Sequence, residues 1–190
     1  MLKALCHCLC LCFALPLTAG AQPVSVVFLN PGSPGETFWA SYSRFMQSAA
    51  DELGMDLRVE YGERRTDLAL SQARAALDGP RRPDYLVLVN EQYIAPEIMR
   101  LSQGAGVKLL LVNNGLTPSQ ARAVSARPDK FAQPLGSLTT NDEQAGFQML
   151  REMIAQLPAA SGPVDLVAFS GVKTTPASQR REDGMRRALA

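Results

Sequence analysis

The stretch that decides the fold is residues 84–114, DYLVLVNEQYIAPEIMRLSQGAGVKLLLVNN. Short apolar runs stand near its two ends, at 85–89 and 107–112, and the apolar residues between them recur at helical spacing. Uninterrupted apolar runs of this length are typical of strands that are buried on both faces. The stretch therefore predicts a strand, a helix and a second strand parallel to the first.

The same alternation continues on both sides of this unit. Further strands are predicted at 24–29, 57–61, 134–138 and 164–169. The run at 57–61 alternates polar and apolar residues, which is typical of an edge strand. Strands that alternate with helices predict a parallel α/β sheet with helices on both faces, and ligands bind such sheets beyond the carboxyl ends of the strands.

Local signals predict where the helices begin and end. The first runs from Phe38 to Leu53 with Gly54 as its C-cap, and its apolar stripe contains Phe38, Tyr42, Phe45, Met46, Ala49 and Leu53. Later helices are expected to begin at an Asp67 cap, at a Thr140–Glu143 capping box and at Thr175-Pro176.

The first 21 residues have the composition of a secretory signal. Lys3 gives a positive start, residues 4–17 are almost all apolar, and Ala19-Gly20-Ala21 forms a small-residue box. This pattern predicts cleavage after Ala21 and export to the periplasm. The apolar run is too short to span a bilayer.

Removal of this segment changes the chemistry of the chain. All four cysteines and the single histidine lie in residues 6–12, and Lys3 is its only charged residue. The remaining 18 basic and 18 acidic residues balance, and no basic tract predicts a nucleic-acid partner. Without His or Cys, the usual catalytic triads and zinc sites are not available. We therefore predict no enzymatic activity, no metal and no cofactor.

Polar side chains follow several of the predicted strands at the point where each ends. They are Asn30, Asn90, Glu91, Asn113 and Asn114. Amides and carboxylates bind adjacent hydroxyl groups, and Phe38 and Trp39 offer aromatic faces at the start of the first helix. Together they predict a cleft for a small polar ligand such as a sugar. The alternatives are turn chemistry for any single asparagine and a core position for Phe38.

Six short motifs share their order and spacing with a known family. They are Phe38-Trp39, Ala50-x-x-Leu53-Gly54-Met55, Pro83-Asp84-Tyr85-Leu86, Ala105-Gly106-Val107, Asn141-Asp142-x-x-Ala145-Gly146 and Arg181-x-x-Gly184. In this arrangement the chain resembles the type I periplasmic binding proteins, the ribose- and galactose-binding group. The resemblance implies two lobes that close on a ligand about a hinge.

The resemblance also implies roles for further residues. Asn113 and Asn114 occupy the family's Asp-Arg pair, and Asn141-Asp142 its Asp-Asn pair in reversed order. Gln179, with Arg180 beside it, stands where the family has a ligand-binding arginine. The loss of both charges at 113–114 argues against ribose itself as the ligand.

The resemblance finally implies a domain organisation and a partner. Residues 22–141 match the first lobe and 142–190 only the beginning of a second, so we expect a fragment of a longer receptor that binds ligand weakly. The implied partner is the membrane permease of an ABC sugar importer. The alternative is a periplasmic sensor that acts on a membrane signalling receptor, and the sequence does not separate the two.

Overall fold

The computed structural model describes residues 22–158 and 162–190, and the predicted signal segment lies outside this part of the chain. Five strands form one sheet: β1 (Ser25–Asn30), β2 (Asp56–Tyr61), β3 (Tyr85–Leu88), β4 (Lys108–Asn113) and β5 (Gly136–Thr139). Their order is β2-β1-β3-β4-β5, and every neighbouring pair is parallel. The predicted parallel α/β fold is confirmed.

Six helices accompany the sheet in the described residues. They are α1 (Thr37–Leu53), α2 (Thr66–Asp78), α3 (Ala95–Leu101), α4 (Pro118–Ser125), α5 (Asp142–Ala155) and α6 (Pro176–Leu189), with a 3₁₀ turn at Glu91–Tyr93. None of them combines the length and the apolar character needed to cross a membrane.

The central strands are buried on both faces, which explains their uninterrupted apolar runs. On β3 and just beyond it, Leu86 and Leu88 pack with residues of α2, α3 and α4, whereas Val87 and Val89 pack on the opposite side with α1. β1 and β4 divide their side chains between the two clusters in the same way. This burial supplies the main hydrophobic stabilisation of the sheet.

The predicted apolar stripe of α1 is wrong in part. Its Phe38, Phe45 and Leu53 side chains are 58%, 77% and 67% exposed. The helix buries instead Trp39, Ser43 and Ala50. These residues recur at intervals of four and seven, so they form one stripe that is rotated from the predicted one and faces the sheet.

The predicted C-cap of α1 is confirmed, because Gly54 lies in the left-handed region at φ 64°. Two predicted N-caps are wrong. Arg65 occupies the N-cap position of α2 and leaves Asp67 in the first turn. Asn141 caps α5 by accepting a hydrogen bond from the Gln144 amide, while Thr140 donates to Asp142.

The short helix α4 was not predicted from the sequence. Thr117 and Gln120 form a reciprocal capping box at its start, and Pro118 occupies its first turn. Only Val124 of this helix is buried, so its hydrophobic periodicity is too weak to identify it.

The predicted strand at 164–169 is also wrong. These residues have no regular structure, and Val167 and Phe169 are 74% and 94% exposed. A strand requires a neighbour that accepts and donates its backbone hydrogen bonds. No strand in the described residues pairs with this segment.

The helices α5 and α6 cross at two glycines. A Cβ atom at Gly146 would overlap the carbonyl oxygen of Arg181, and one at Gly184 would overlap that of Glu143. The absence of these two side chains lets the helix backbones approach closely. Arg187 strengthens the pair through Glu143, at 2.6 Å between Nη1 and Oε1.

Candidate ligand-binding cleft

A cleft opens at the carboxyl edge of the sheet, between the strand ends and the segment that leads into α6. It holds about 680 Å³ of space between atoms, part of it open to solvent. Its sheet side is lined by Phe38, Trp39, Arg64, Glu91, Asn113 and Asn114. Its other side is lined by Val172, Thr175, Ala177, Ser178 and Arg181. Five of the eleven predicted site residues therefore lie together.

The two aromatic residues of the cleft have different environments. Trp39 is 3% exposed and fills space where Gly32 has no side chain, because a Cβ at Gly32 would lie 2.7 Å from that of Trp39. Phe38 is 58% exposed and packs edge-on against Trp39, with ring centroids 4.9 Å apart. Phe38 is thus the aromatic ring that has a free face, whereas Trp39 supports it from the core.

Asn113 presents an uncommitted amide to the cleft. Its backbone lies in the left-handed region at φ 62°, a conformation that asparagine tolerates better than most residues. Its side chain makes no hydrogen bond to the described part of the chain, and it lines the cleft. One carbonyl and one NH₂ group are therefore available for a bound hydroxyl.

Glu91 and Asn114 form a buried polar pair at the base of the cleft. Asn114 Nδ2 donates to Glu91 Oε2 at 3.3 Å, and Asn114 Oδ1 accepts from the Ala177 amide at 3.2 Å. Glu91 Oε1 accepts from Thr175 Oγ1 at 2.9 Å and from Arg64 Nη1 at 3.3 Å. Both side chains are already bonded within the protein, in contrast to that of Asn113.

Arg64 bridges two carboxylates on the wall of the cleft. Its Nε lies 3.2 Å from both carboxylate oxygens of Glu36, and its guanidinium carbon lies 5.9 Å from the centroid of the Trp39 ring. The hydrogen bond from Arg64 holds the pKa of Glu36 below its ordinary value of 4.5, although partial desolvation opposes this shift. The same bond raises the pKa of Arg64, which stays charged.

Asn30 and Asn90 lie at the same sheet edge but do not face the cleft. Asn30 is 1% exposed, donates to Ser43 Oγ and the Trp39 carbonyl, and accepts from the Gly32 amide. Asn90 is fully buried, donates to Gln120 and the Gly115 carbonyl, and accepts from the Ala95 amide. The expectation that the strand-end asparagines share one crevice is wrong for these two. The Asn30 amide bonds to α1 and to the turn before it, and the Asn90 amide bonds to the start of α3 and to residues that follow β4.

The predicted pair at the start of α5 does not line the cleft. Asn141 is exposed and caps the helix. Asp142 is 3% exposed, accepts from Thr140 Oγ1 at 2.9 Å, and lies 2.7 Å from Arg181 Nη2. This last contact is an ion pair whose angle departs from that of a hydrogen bond. Asp142 therefore influences the cleft only by holding Arg181.

Gln179 and Arg180 are not brought into this cleft either. The exposed Gln179 amide donates to the Lys173 carbonyl at 2.7 Å. Arg180 borders a different depression, beside β5. They precede Arg181 by two residues and one residue, and they point to other faces of the helix because each helical residue rotates by about 100°.

Four polar cleft residues were not predicted from the sequence: Arg64, Thr175, Ser178 and Arg181. Arg64 follows the carboxyl end of β2 by three residues, so the rule applied to the other strand ends would have identified it. The three others lie at the start of a distant helix, and only the packing of α6 places them opposite the sheet.

A second cavity lies behind Arg64 and Glu91. It holds about 360 Å³ of space between atoms, and apolar side chains such as Leu29, Val89 and Ile98 line much of it. It offers few groups for a polar ligand, so the cleft with the free amide is the better candidate. The described residues contain no cluster of three or more acidic, histidine or cysteine side chains that would hold a metal ion.

Solved structures of the same architecture identify the family. A periplasmic sugar-binding protein from Pseudomonas fluorescens superposes with a TM-score of 0.73 and 51% identity over 87% of this chain. This chain is a relative of the type I periplasmic binding proteins. The resemblance predicted from the sequence motifs is thus confirmed.

More distant type I periplasmic binding proteins share the fold alone. The myo-inositol binding protein of Caulobacter matches at a TM-score of 0.69 and 15% identity, over 90% of this chain and 51% of its own. A D-allose-bound periplasmic solute binding protein of an ABC transporter from Actinobacillus succinogenes matches at 0.68 and 14%, over 88% and 54%. The chain spans about half the length of these proteins, and 48% of the Pseudomonas fluorescens protein. No protein-family model and no curated protein matches the chain.

Proposed function

We propose that the protein binds a small neutral polar ligand, a sugar or a similar polyol, in the cleft at the carboxyl edge of its sheet. The observation that carries the proposal is the 51% identity to a periplasmic sugar-binding protein over 87% of the chain. The cleft has suitable chemistry, because an exposed aromatic ring can cover the C–H face of a sugar while amides bind its hydroxyl groups.

The wider role follows from the same proposal. The protein would be exported, would act in the periplasm without catalysing a reaction, and would deliver its ligand to the permease of an ABC importer. Residues 22–141 would form one lobe and residues 142–190 part of a second, with the ligand between them. Closure on the ligand would then be the signal that the permease recognises.

The direct test is a search for the ligand. Purified protein is examined by native mass spectrometry for co-purifying small molecules, and then by saturation-transfer NMR against a panel of monosaccharides and polyols. We expect saturation transfer to at least one neutral sugar or polyol. If no member of the panel receives saturation and nothing co-purifies, the proposal fails.

Phe38 and Phe45 offer a matched test of the aromatic contact. Both are exposed phenylalanines of α1, at 58% and 77%, but only Phe38 lines the cleft. We expect Phe38→Ala to weaken ligand binding by about tenfold to a hundredfold, the effect of losing most of a buried aromatic contact. Phe45→Ala should leave the affinity unchanged. Ligand titration by NMR measures both, and equal affinities for the two variants would remove Phe38 from the site.

Asn113→Gly separates ligand binding from stability at a single position. Glycine adopts φ 62° without strain, so the variant loses the amide and keeps the backbone. We expect ligand affinity to fall by about tenfold, as for the loss of one or two hydrogen bonds. The thermal midpoint should change little. A fall in midpoint with unchanged affinity would show that the Asn113 amide is structural.

A further inference from the structure

Few hydrogen bonds join the segment 172–177 to the sheet. Thr175 Oγ1 donates to Glu91 Oε1, the Ala177 amide donates to Asn114 Oδ1, and the Tyr93 hydroxyl makes a long contact of 3.5 Å with the Lys173 carbonyl. In the described residues, no other hydrogen bond links 162–190 with 22–139. These are therefore the hydrogen bonds that hold the start of α6 against the sheet edge.

The sheet edge also caps α6. Thr175 occupies the N-cap position, but its hydroxyl makes no bond to an amide of its own helix. It donates to Glu91 instead, and Asn114 accepts from the Ala177 amide, one of the unpaired donors of the first helical turn. Undocking the helix would remove this cap, so docking and capping are coupled.

Glu91 can serve this bridge only if its charge is balanced. Its side chain is 8% exposed, and a buried carboxylate without a partner is strongly unfavourable. Arg64 is the basic residue that reaches it, at 3.3 Å. Three contacts hold Arg64 itself. Its guanidinium donates to Glu36, its backbone amide donates to the Pro31 carbonyl, and the Gln92 side chain donates to the backbone carbonyl of Arg64.

We propose that Arg64 is a positioning residue of the cleft. It orients the Glu91 carboxylate so that Oε1 accepts from Thr175, and thereby holds the start of α6 against the sheet edge before a ligand binds. The inference concerns the same cleft as the proposed function, but the docked arrangement it describes needs no ligand.

The distance between α4 and α6 reports the docking. No cysteine occurs among residues 22–190, so spin labels at the exposed positions Ala123→Cys and Asp183→Cys are unique in protein from which residues 1–21 have been removed. The test variants are Arg64→Gln and Thr175→Val. Their matched controls are the adjacent Arg65→Gln, since Arg65 pairs only with Asp67 among the described residues, and Thr174→Val, since Thr174 is exposed.

We expect each test variant to broaden the distance distribution and to lower the ratio of docked to undocked molecules by about tenfold. The double variant should lower the ratio of docked to undocked molecules no further than either single variant does, because both substitutions remove the same bridge. Both controls should match the unmodified protein. Circular dichroism verifies folding. If Arg64→Gln does not fold, Arg64→Lys replaces it, because lysine lacks the planar fork that reaches both Glu36 and Glu91.

Three results would overturn the inference. If Thr175→Val has the same distance distribution as Thr174→Val, the bridge from Thr175 to Glu91 is excluded. If Arg64→Gln has the same distance distribution as Arg65→Gln, the role of Arg64 is excluded. Additive effects in the double variant would exclude it as well. The distances are measured without ligand. A failure to bind sugars would therefore refute the proposed function without changing the result on the docking of α6.

Discussion

Replacing Gly184 by alanine is expected to separate α5 from α6. The new methyl group would overlap the Glu143 carbonyl oxygen and lie 2.8 Å from the Phe147 amide nitrogen, and both of these are backbone atoms that cannot turn aside. The helices would have to move apart, which would weaken the ion pair between Arg187 and Glu143. We expect a cost of about 3 kcal/mol, at the upper end of the range for overpacked sites.

Hydrogen exchange locates this effect within the chain. The amides of α5 and α6 should exchange roughly a hundredfold faster in Gly184→Ala, while those of β1, β3 and β4 keep their protection. Gly136→Ala is the control, because a Cβ there meets nothing within 4 Å. Unchanged protection of α5 and α6 would show that the helices can adjust and that the close crossing is not required.

Replacing Asn30 by alanine should destabilise the whole sheet and not merely its cleft. The variant leaves the buried Gly32 amide without its acceptor, removes the partner of Ser43 Oγ, and creates a cavity at a residue that is 1% exposed. Unpaired buried polar groups cost about 1–3 kcal/mol each. We expect the free energy of unfolding to fall by about 3 kcal/mol.

Urea unfolding, monitored by tryptophan fluorescence, measures this fall in the free energy of unfolding with a probe beside the substituted residue. Trp39 is the single tryptophan of the chain, is 3% exposed, and its carbonyl accepts from Asn30. Asn113→Gly is the comparison, since it removes an amide at another strand end without leaving a buried partner unpaired. If Asn30→Ala were as stable as Asn113→Gly and lost ligand instead, Asn30 would belong to the binding site.

The sequence predicts the sheet well because its signal is local. Each buried strand is a short apolar run, and each turn is marked by glycine, proline or asparagine close by in the chain. Gly54 as a C-cap and Pro176 at the first position of α6 are identified by the backbone conformations they favour. The predicted strand at 164–169 is wrong because no strand in the described part of the chain pairs with this apolar run, and a local pattern does not reveal that.

The roles of the strand-end residues are less local. Asn30, Asn90 and Asn113 look alike in the sequence, since each follows an apolar strand. The first two are buried and bonded to neighbouring helices and loops, whereas the third has a left-handed backbone and lines the cleft. Which of the three amides is left without a hydrogen bond depends on how the loops and helices around each strand end pack.

By itself, the sequence determined the parallel α/β fold, the burial of the central strands and the polar residues that stand at the carboxyl edge of the sheet. These follow from apolar periodicity and from the common direction of parallel strands. Only the tertiary structure decided that Phe38 is exposed while Trp39 is buried, that Arg64 holds Glu91, and that Thr175 and Arg181 complete the cleft. The physical reason is that these contacts join residues up to 84 positions apart, and helix rotation and close backbone packing bring them together.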